Sequence, residues 1–287
     1  MKRIYFSVVA LLSFATTLFA QAPASSGEVV YHTHYSLAYN ELHEQAEWVY
    51  YHLTPQLLAG TAKRTNDFRA DAKVATHSAT LDDYRGSGYD RGHLCPAASM
   101  SRSREAISES FFMSNMSPQT PSFNRGMWKR LEEAVRATAS ADSIVYVVCG
   151  PILSNPKGAI GANKVTVPSS YYKVLYSPKR GAMIGFIMPN KKLNGSISDY
   201  VVTVDRVEEL TGIDLFAGAA PQVENLESAS DFDQWSFLEA KPLPKVPTTS
   251  QSTNSHKCKG HTASGASCKN KTKNHNGYCH LHQKQAK

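Results

Sequence analysis

Three apolar segments in the middle of the chain have the length and composition of buried β-strands. The first, DSIVYVVCGP, is rich in β-branched residues and ends at Gly150-Pro151. The runs YYKVLYS and GAMIGFIMPN follow it, separated by a turn around Pro178 and Gly181. Short apolar runs bounded by Gly and Pro are typical of strands in a packed sheet. The pattern therefore predicts three strands in this part of the chain.

Two other segments repeat their apolar residues at helical spacing. Trp128, Leu131 and Val135 lie three and four residues apart, and the segment EEAVRATAS continues that pattern. In TVDRVEELTG, Thr203 is a candidate N-cap and Gly212 a candidate C-terminal stop. Strands and helices occur in separate groups rather than in regular alternation. This arrangement predicts an α+β fold with a mixed, mainly antiparallel sheet and flanking helices, not a doubly wound sheet.

The first 20 residues have the pattern of an export signal. Lys2 and Arg3 precede an uncharged apolar run that ends at Ala20. This run is just short of the ~20 residues of a membrane span, so an uncleaved anchor is the alternative. The small and polar residues of AQAPASSG follow at once and favour cleavage. We therefore expect a secreted or periplasmic protein with no stable membrane association after cleavage.

Composition divides the chain further. We predict a signal peptide over residues 1–20, a globular domain over 28–240, a Pro/Ser/Thr-rich linker over 241–255 and a small module over 256–283. The net charge is +7, but the segment after residue 240 holds nine lysines and no acidic residue. The rest of the chain has 22 basic and 24 acidic residues. A basic tail favours a polyanionic partner, although lysine-rich tails also act as solubilising segments.

The module is too small and polar to bury a useful core, so it requires a metal or a disulfide to fold. Cys279 and His282 form a Cys-x-x-His half-site for Zn²⁺, which Cys258 and Cys268 complete. A disulfide with one spare thiol is the alternative, because the chain has five cysteines and an export signal. The segment also resembles small Cys3His modules in which His282, rather than His280, is the fourth ligand. Its role is open between nucleic-acid binding and protein docking.

Five polar residues form a candidate catalytic set around the motif DRGHLCPA. His93 is a candidate general base, and Arg91 and Arg64 are candidate phosphate clamps. Asn124, at a predicted helix start, offers a hard oxygen ligand for Mg²⁺. Glu132 lies eight residues after Asn124 on the predicted helix, so the two side chains are ~80° apart around the helix axis. Taken singly, each has a plainer structural explanation, such as a cap, a turn or a solvated side chain.

Three sequence blocks together resemble the DNA/RNA non-specific endonucleases, the ββα-metal (His-Me finger) nucleases of the endonuclease G type. The blocks are DYRGSGYDRGHLCPA, FFMSNMSPQTPSFNRGMWKRLEE, and VVCGPIL followed by VTVDRVEELTGIDLF. They occur in the family's order, and the resemblance covers about residues 45–220. It implies that this region adopts the ββα-metal nuclease fold and hydrolyses DNA and RNA.

The resemblance also implies a role for each residue of the set. His93 is the general base, Asn124 the direct ligand of Mg²⁺ (with Mn²⁺ as a substitute), and Glu132 holds the ion's water shell. Arg91 supports the phosphate together with an upstream arginine, either Arg64, which we favour, or Arg69. Asp90 is interpreted as a structural residue that orients the motif.

The family implies 5′-phosphate products and frequent homodimerisation. One competing hypothesis is a non-catalytic nucleic-acid-binding protein on the same fold, and another is a phosphoesterase for small substrates. Cys95 has no chemical role in this mechanism and is predicted to pack behind the motif. A disulfide between Cys95 and Cys149 is a further hypothesis, because these are the two cysteines of the globular domain.

Overall fold

A computed structural model describes most of the chain and divides it into two units. The units lie within Met1–Ala240 and Lys241–Lys287. The predicted signal peptide and the predicted linker lie outside the described residues. Those residues are 23–25, 27–217, 221–235, 256–262, 265–272, 274 and 276–285.

Strands dominate the first unit, and its helices are mostly short. The strands of both units are β1 (Glu28–Tyr31), β2 (Ser36–Asn40), β3 (Gln45–Leu53), β4 (Asp90–His93), β5 (Met116–Gln119), β6 (Val145–Ile152), β7 (Ala159–Ile160), β8 (Val165–Thr166), β9 (Ser170–Ser177), β10 (Ala182–Pro189), β11 (Val201–Val202), β12 (His256–Lys257) and β13 (Lys271–Thr272). The α-helices are α1 (Pro55–Leu58), α2 (Leu81–Tyr84), α3 (Arg104–Glu109), α4 (Pro121–Phe123), α5 (Lys129–Asp142), α6 (Val204–Thr211) and α7 (Pro221–Glu224).

Seven strands form one sheet in the order β1-β2-β3-β6-β9-β10-β11. Every neighbouring pair in it is antiparallel. The three strands predicted from the apolar runs are β6, β9 and β10, which lie side by side. The α+β class is therefore confirmed, and the described sheet is antiparallel throughout. Antiparallel neighbours require only short connections, so the helices can collect on the faces of the sheet.

Both faces of the sheet are buried, which explains why its central strands are apolar at nearly every position. One face packs against α5 and the loops around β4 and β5, with Leu131 and Phe111 in that core. The other face packs against α6 and the chain that follows it, with Val207 and Phe216 in the second core. None of the helices among the described residues is long and apolar enough to cross a bilayer.

The two predicted helices form as their patterns indicate. Helix α5 buries Leu131 and Val135 together with other residues of the same stripe. Helix α6 begins after Thr203, whose side chain accepts a hydrogen bond from the Arg206 backbone N–H at 3.1 Å. It ends at Gly212, which has a left-handed φ of 69° that favours glycine.

The expected geometry at Asn124 is wrong in one respect. Helix α5 begins at Lys129, and the preceding segment Asn124–Trp128 is a π-helical turn that connects it to α4. Within this turn Gly126 has non-helical backbone angles, with φ −106° and ψ −113°. The regular α-helical periodicity assumed for Asn124 and Glu132 is therefore interrupted, and their ~80° separation does not hold.

The proposed disulfide between the two cysteines of the globular domain is also wrong. Cys95 and Cys149 are free, fully buried thiols, and Cys149 Sγ donates a hydrogen bond to the Leu94 carbonyl at 3.0 Å. Burial raises the pKa of both thiols, so they remain protonated. Cys95 packs behind the DRGH motif as predicted, and Cys149 ties the turn after this motif to the sheet.

Candidate functional site

The hairpin of β4 and β5 places His93 at the end of a strand. His93 is the register partner of Met116, and Gly92 is the partner of Ser117. A Cβ atom at Gly92 would lie 2.2 Å from the Gln119 side chain, so a larger residue here would force Gln119 to move. Asn115 closes the turn that follows by accepting from the Cys95 N–H at 2.8 Å and donating to the Cys95 carbonyl at 2.9 Å.

The imidazole of His93 lies among aromatic rings and positive charges. Its ring centre is 4.8 Å from that of Phe111 and 5.8 Å from that of Phe68, both in edge-to-face geometry. Burial, and then the charge of Arg64, lower the pKa of His93 to about 3. The ring hydrogen-bonds to the Arg91 backbone, and its Nε2 atom is buried without a partner among the described residues. His93 is thus a neutral imidazole, the form in which one ring nitrogen can accept a proton.

A cavity of about 360 Å³ opens beside His93. It brings together all five residues predicted from the sequence as the catalytic and Mg²⁺-binding set. Its lining residues are Arg64, Arg91, His93, Pro96, Ala97, Ala98, Asn124, Arg125, Lys129, Glu132 and Arg136. Five of these are cationic and one is acidic, so the cavity carries local positive charge although the globular domain is slightly acidic overall. Such a cavity suits an anionic phosphodiester.

The two candidate upstream arginines occupy different environments. The Arg64 guanidinium lies 4.6 Å from the Phe111 ring centre and lines the cavity. Arg91 lies 4.1 Å from the Phe68 ring centre, so Arg64 and Arg91 each rest on an aromatic ring. Arg69 instead donates to the Ser108 carbonyl at 2.9 Å and pairs with a neighbouring aspartate. Of the two, Arg64 is the one in the cavity.

Asn124 is held by a carboxylate on the neighbouring hairpin. Its Nδ2 atom donates to Asp90 Oδ2 at 2.9 Å, and Asp90 also accepts from Arg125 Nε at 2.8 Å and Nη2 at 2.6 Å. A carboxylate only accepts hydrogen bonds, so the atom that faces it is the amide nitrogen. The amide oxygen of Asn124 is therefore the atom left available as a ligand. Asp90 thus orients Asn124, in keeping with the structural role expected for it.

Glu132 lies between the cavity and a buried lysine. Burial raises the pKa of Glu132 to about 7, against the opposing charges of Lys173 and Arg136. Lys173 is fully buried, with Nζ 4.6 Å from the Trp128 ring centre and 3.5 Å from Tyr51 Oη. Its ammonium group offsets the negative charge of Glu132 from the inner side of helix α5.

Sequence reasoning missed three cationic residues of the cavity: Arg125, Lys129 and Arg136. Arg136 follows Glu132 by four residues, so helical spacing alone could have placed the two on one face. The contribution of Arg125 and Lys129 depends on the π-turn, which has no clear signature in the sequence. The aromatic support from Phe68 and Phe111 was missed for a similar reason, because both lie in loops.

A second candidate site lies within the C-terminal unit. Cys258, Cys268, Cys279 and His282 offer ligand atoms that all lie within 4.8 Å of one another. Cys268 Sγ is 3.9 Å from Cys279 Sγ, and His282 Nδ1 is 3.3 Å from Cys279 Sγ and 3.6 Å from Cys258 Sγ. Two ligands at ~2.3 Å from a tetrahedral ion lie ~3.8 Å apart, so these spacings fit a four-coordinate metal. They exceed the ~2.05 Å length of an S–S bond, and none of the three cysteines takes part in a disulfide.

The β4–β5 hairpin, the π-turn and helix α5 define a ββα-metal nuclease fold. A family model described as "DNA/RNA non-specific endonuclease" matches residues 15–222, and the chain belongs to this family. This identifies it as a hydrolytic nuclease and confirms the class that the sequence resemblance implied.

Individual relatives agree with this assignment. A nuclease of Nostoc sp. is 38% identical over 212 residues, which cover 69% of this chain and 76% of the relative. Mitochondrial endonuclease G of Homo sapiens is 36% identical over 196 residues, covering 62% of this chain and 66% of the relative, just under two thirds of its length. A chain from the crystal structure of the EndoG/EndoGI complex superposes with a TM-score of 0.62 at 33% identity, over 67% of this chain and 86% of that chain.

The contact between Asp90 and Asn124 predicts the effect of removing the carboxylate. In Asp90→Ala the Asn124 amide can rotate, so the divalent-cation concentration for half-maximal cleavage is expected to rise about tenfold, as for other residues that orient a metal ligand. Titrating cleavage against the cation measures this. Glu209→Ala removes a carboxylate from an exposed ion pair on α6 and is the matched control. An unchanged cation requirement in Asp90→Ala would show that the contact is unimportant.

Proposed function

We propose that this protein is an exported, Mg²⁺-dependent endonuclease that hydrolyses phosphodiester bonds of both DNA and RNA and leaves 5′-phosphates. The observation that carries the proposal is the single cavity shared by His93, Asn124 and Glu132 with two ring-supported arginines. Family membership supports nuclease chemistry. The export signal supports a secreted or periplasmic location, and the family's frequent dimerisation supports a homodimer.

In this mechanism His93 activates the attacking water. Its neutral imidazole takes the proton of a water molecule that attacks the phosphorus in line with the leaving 3′ oxygen. A bound phosphodiester adds negative charge beside Arg64 and Arg91. This charge raises the pKa of His93 from its low value toward the range in which an imidazole accepts a proton efficiently.

Arg64 and Arg91 supply the electrostatic part of the mechanism. Guanidinium groups match phosphate oxygens in pairs, and the extra negative charge of the transition state strengthens these contacts. The aromatic rings beneath them limit their motion, so little reorganisation is needed during the reaction. Lys129, Arg125 and Arg136 extend the positive surface along the nucleic-acid backbone.

The oxygen donors of the cavity fit Mg²⁺. Asn124 offers one oriented amide oxygen and Glu132 one carboxylate, and a cavity of about 360 Å³ has room for retained water molecules. A hard cation that dehydrates reluctantly suits such a sparse donor set, and Mn²⁺ is the expected substitute. When bound, the cation supplies positive charge next to the leaving oxygen.

Backbone recognition without sequence preference is consistent with this site. The cavity presents cations for phosphates, and such contacts carry no sequence information. The competing hypothesis, a non-catalytic nucleic-acid-binding protein, is disfavoured by the neutral state of His93. A neutral imidazole adds nothing to the electrostatic binding of phosphates, whereas it can act as a general base.

Replacing the general base tests the mechanism. His93→Ala is expected to lower cleavage of plasmid DNA and of RNA by at least a hundredfold, because water activation is lost. Gel assays in Mg²⁺ and in chelator measure this, with the exposed Tyr31→Ala as the control variant. Equal cleavage by His93→Ala and the wild type, or cleavage of neither substrate by the wild type, would contradict the mechanism.

The pKa of Glu132 predicts a pH-dependent need for Mg²⁺. At a pKa of about 7 the carboxyl is neutral at lower pH, and a cation favours its charged form. Binding therefore strengthens as pH rises through 7. Below pH 7 the half-saturating Mg²⁺ concentration is expected to rise by up to about tenfold per pH unit. Activity titrations at pH 6 and pH 8 measure this.

Two variants isolate the contribution of Glu132. In Glu132→Gln the pH dependence of the Mg²⁺ requirement is expected to flatten. Glu209→Gln removes a carboxyl from an exposed ion pair on α6 and is expected to keep the wild-type dependence. A Glu132→Gln enzyme with the wild-type dependence would assign the titration to another group.

We further propose that the C-terminal unit binds one structural Zn²⁺ through Cys258, Cys268, Cys279 and His282. The tetrahedral spacing of their ligand atoms supports this, as does the donor set, since thiolate with imidazole is a preferred zinc combination. Its lysines support a role in holding nucleic-acid backbone.

Metal analysis tests the zinc proposal. About one zinc per chain is expected in the wild type. Cys268→Ser and His282→Ala are expected to lower this content, because each removes a ligand, whereas His280→Ala is expected to retain it. Inductively coupled plasma mass spectrometry on the purified proteins measures the ratio. A zinc-free tail with an oxidised cysteine pair would overturn the proposal.

A further inference from the structure

A second cavity adjoins the catalytic one. It has a volume of about 340 Å³, in the range of sites for small organic groups. Its lining residues are Leu81, Tyr84, Arg85, Tyr89, Asp90 and Arg91. Arg91 lines both cavities, so a nucleic acid with its scissile phosphate at Arg91 has this second cavity immediately beside that phosphate.

The loop before β4 shapes this cavity. Gly86 and Gly88 have left-handed φ values of 69° and 81°, with open space where a side chain would stand. Ser87 Oγ donates to the Tyr84 carbonyl at 2.8 Å and accepts from the Tyr89 N–H at 3.2 Å. The loop is therefore held by its own hydrogen bonds, and it leads Tyr89 directly into the strand that carries Arg91.

The spacing of Tyr89 and Arg91 matches the substrate. Two residues of extended strand span ~6.6 Å, and nucleic-acid bases repeat every ~3.4 Å along the helix axis. A ring two residues from the arginine that contacts the scissile phosphate can therefore reach the nucleoside attached to that phosphate.

The chemistry of the lining suits a nucleoside. Tyr89 is half-buried and offers an aromatic ring, and Leu81 adds exposed apolar surface. Tyr84 is 5% exposed and forms part of the cavity wall, with its hydroxyl enclosed by the protein.

Every nucleic-acid base has a face that stacks on an aromatic ring. Arg85 completes the cavity lining, and its Nη2 atom forms an ion pair with Oδ1 of the exposed Asp82 at 2.7 Å.

We propose that this cavity is the subsite for the nucleoside next to the scissile phosphate, with Tyr89 stacking on the base. The inference rests on the proposed nuclease function. The subsite reads the presence of a base rather than its identity, because stacking tolerates all four bases. The subsite increases the affinity for the substrate and helps to position the scissile phosphate, in a site that otherwise contacts only the nucleic-acid backbone.

Single-linkage oligonucleotides test the subsite. Each substrate has one cleavable phosphodiester among nuclease-resistant phosphorothioate linkages, flanked by normal nucleosides or by an abasic spacer on one side or the other. The wild type is expected to cut one of the two abasic substrates about tenfold less efficiently, by kcat/KM, than the parent, because the stacked base is missing.

Combining the protein variants with the abasic substrates tests whether Tyr89 is the residue that contacts the missing base. Tyr89→Ala, and Tyr89→Leu as a variant that keeps apolar bulk, are expected to cut parent and abasic substrates with nearly equal kcat/KM, because the stacking partner is gone. The control Tyr31→Ala is expected to retain the full tenfold ratio.

The outcomes separate the subsite from the nuclease proposal. Full discrimination in both Tyr89 variants, or none in the wild type against either abasic substrate, would overturn the subsite while leaving the nuclease function standing. Failure of the wild type to cut the parent oligonucleotide would overturn both.

Discussion

The geometry of the site depends on one carboxylate, that of Asp90. It lies on β4, two residues before Gly92 and three before His93, and it accepts hydrogen bonds from Asn124 and Arg125 on the π-turn. It therefore couples the strand that carries the proposed base to the segment that carries the proposed metal ligand. Because a carboxylate accepts only, it also decides which atom of the Asn124 amide is left for a cation. The contact adds a direct side-chain link to the β4–β5 pairing and the shared core, which also join the two halves of the site.

Buried charge is the second constraint on the site. Lys173 lies in the centre of the sheet without exposure to solvent, and its ammonium is surrounded by the Trp128 and Tyr51 rings rather than by water. Burying an ammonium is costly, and a nearby carboxylate offsets that cost. Glu132 serves this purpose and also faces the cavity. The electrostatics of the core and of the site are therefore linked, so a substitution at Lys173 would alter both.

The regular elements could be predicted from the sequence because their physical causes are local. Local composition and spacing are enough to predict the strands β6, β9 and β10, and also the two ends of helix α6 at Thr203 and Gly212. The π-turn at Asn124 could not be predicted in this way, since it depends on Asp90 and on packing from distant strands. The choice between Arg64 and Arg69 was equally non-local, because it depends on which guanidinium meets the Phe111 ring. Whether Cys149 forms a disulfide was non-local as well, because its thiol instead donates a hydrogen bond to the Leu94 carbonyl across the core.

The two units differ in what holds them together, and this difference separates the effects of their metals. The first unit buries aromatic and aliphatic side chains on both faces of a seven-stranded sheet, so its fold does not require an ion. The buried cluster of the C-terminal unit among the described residues consists of three cysteines. Three thiols bury too little apolar surface to offset the entropy of ordering even a short segment. A metal in the first unit therefore serves chemistry, and a metal in the second serves folding.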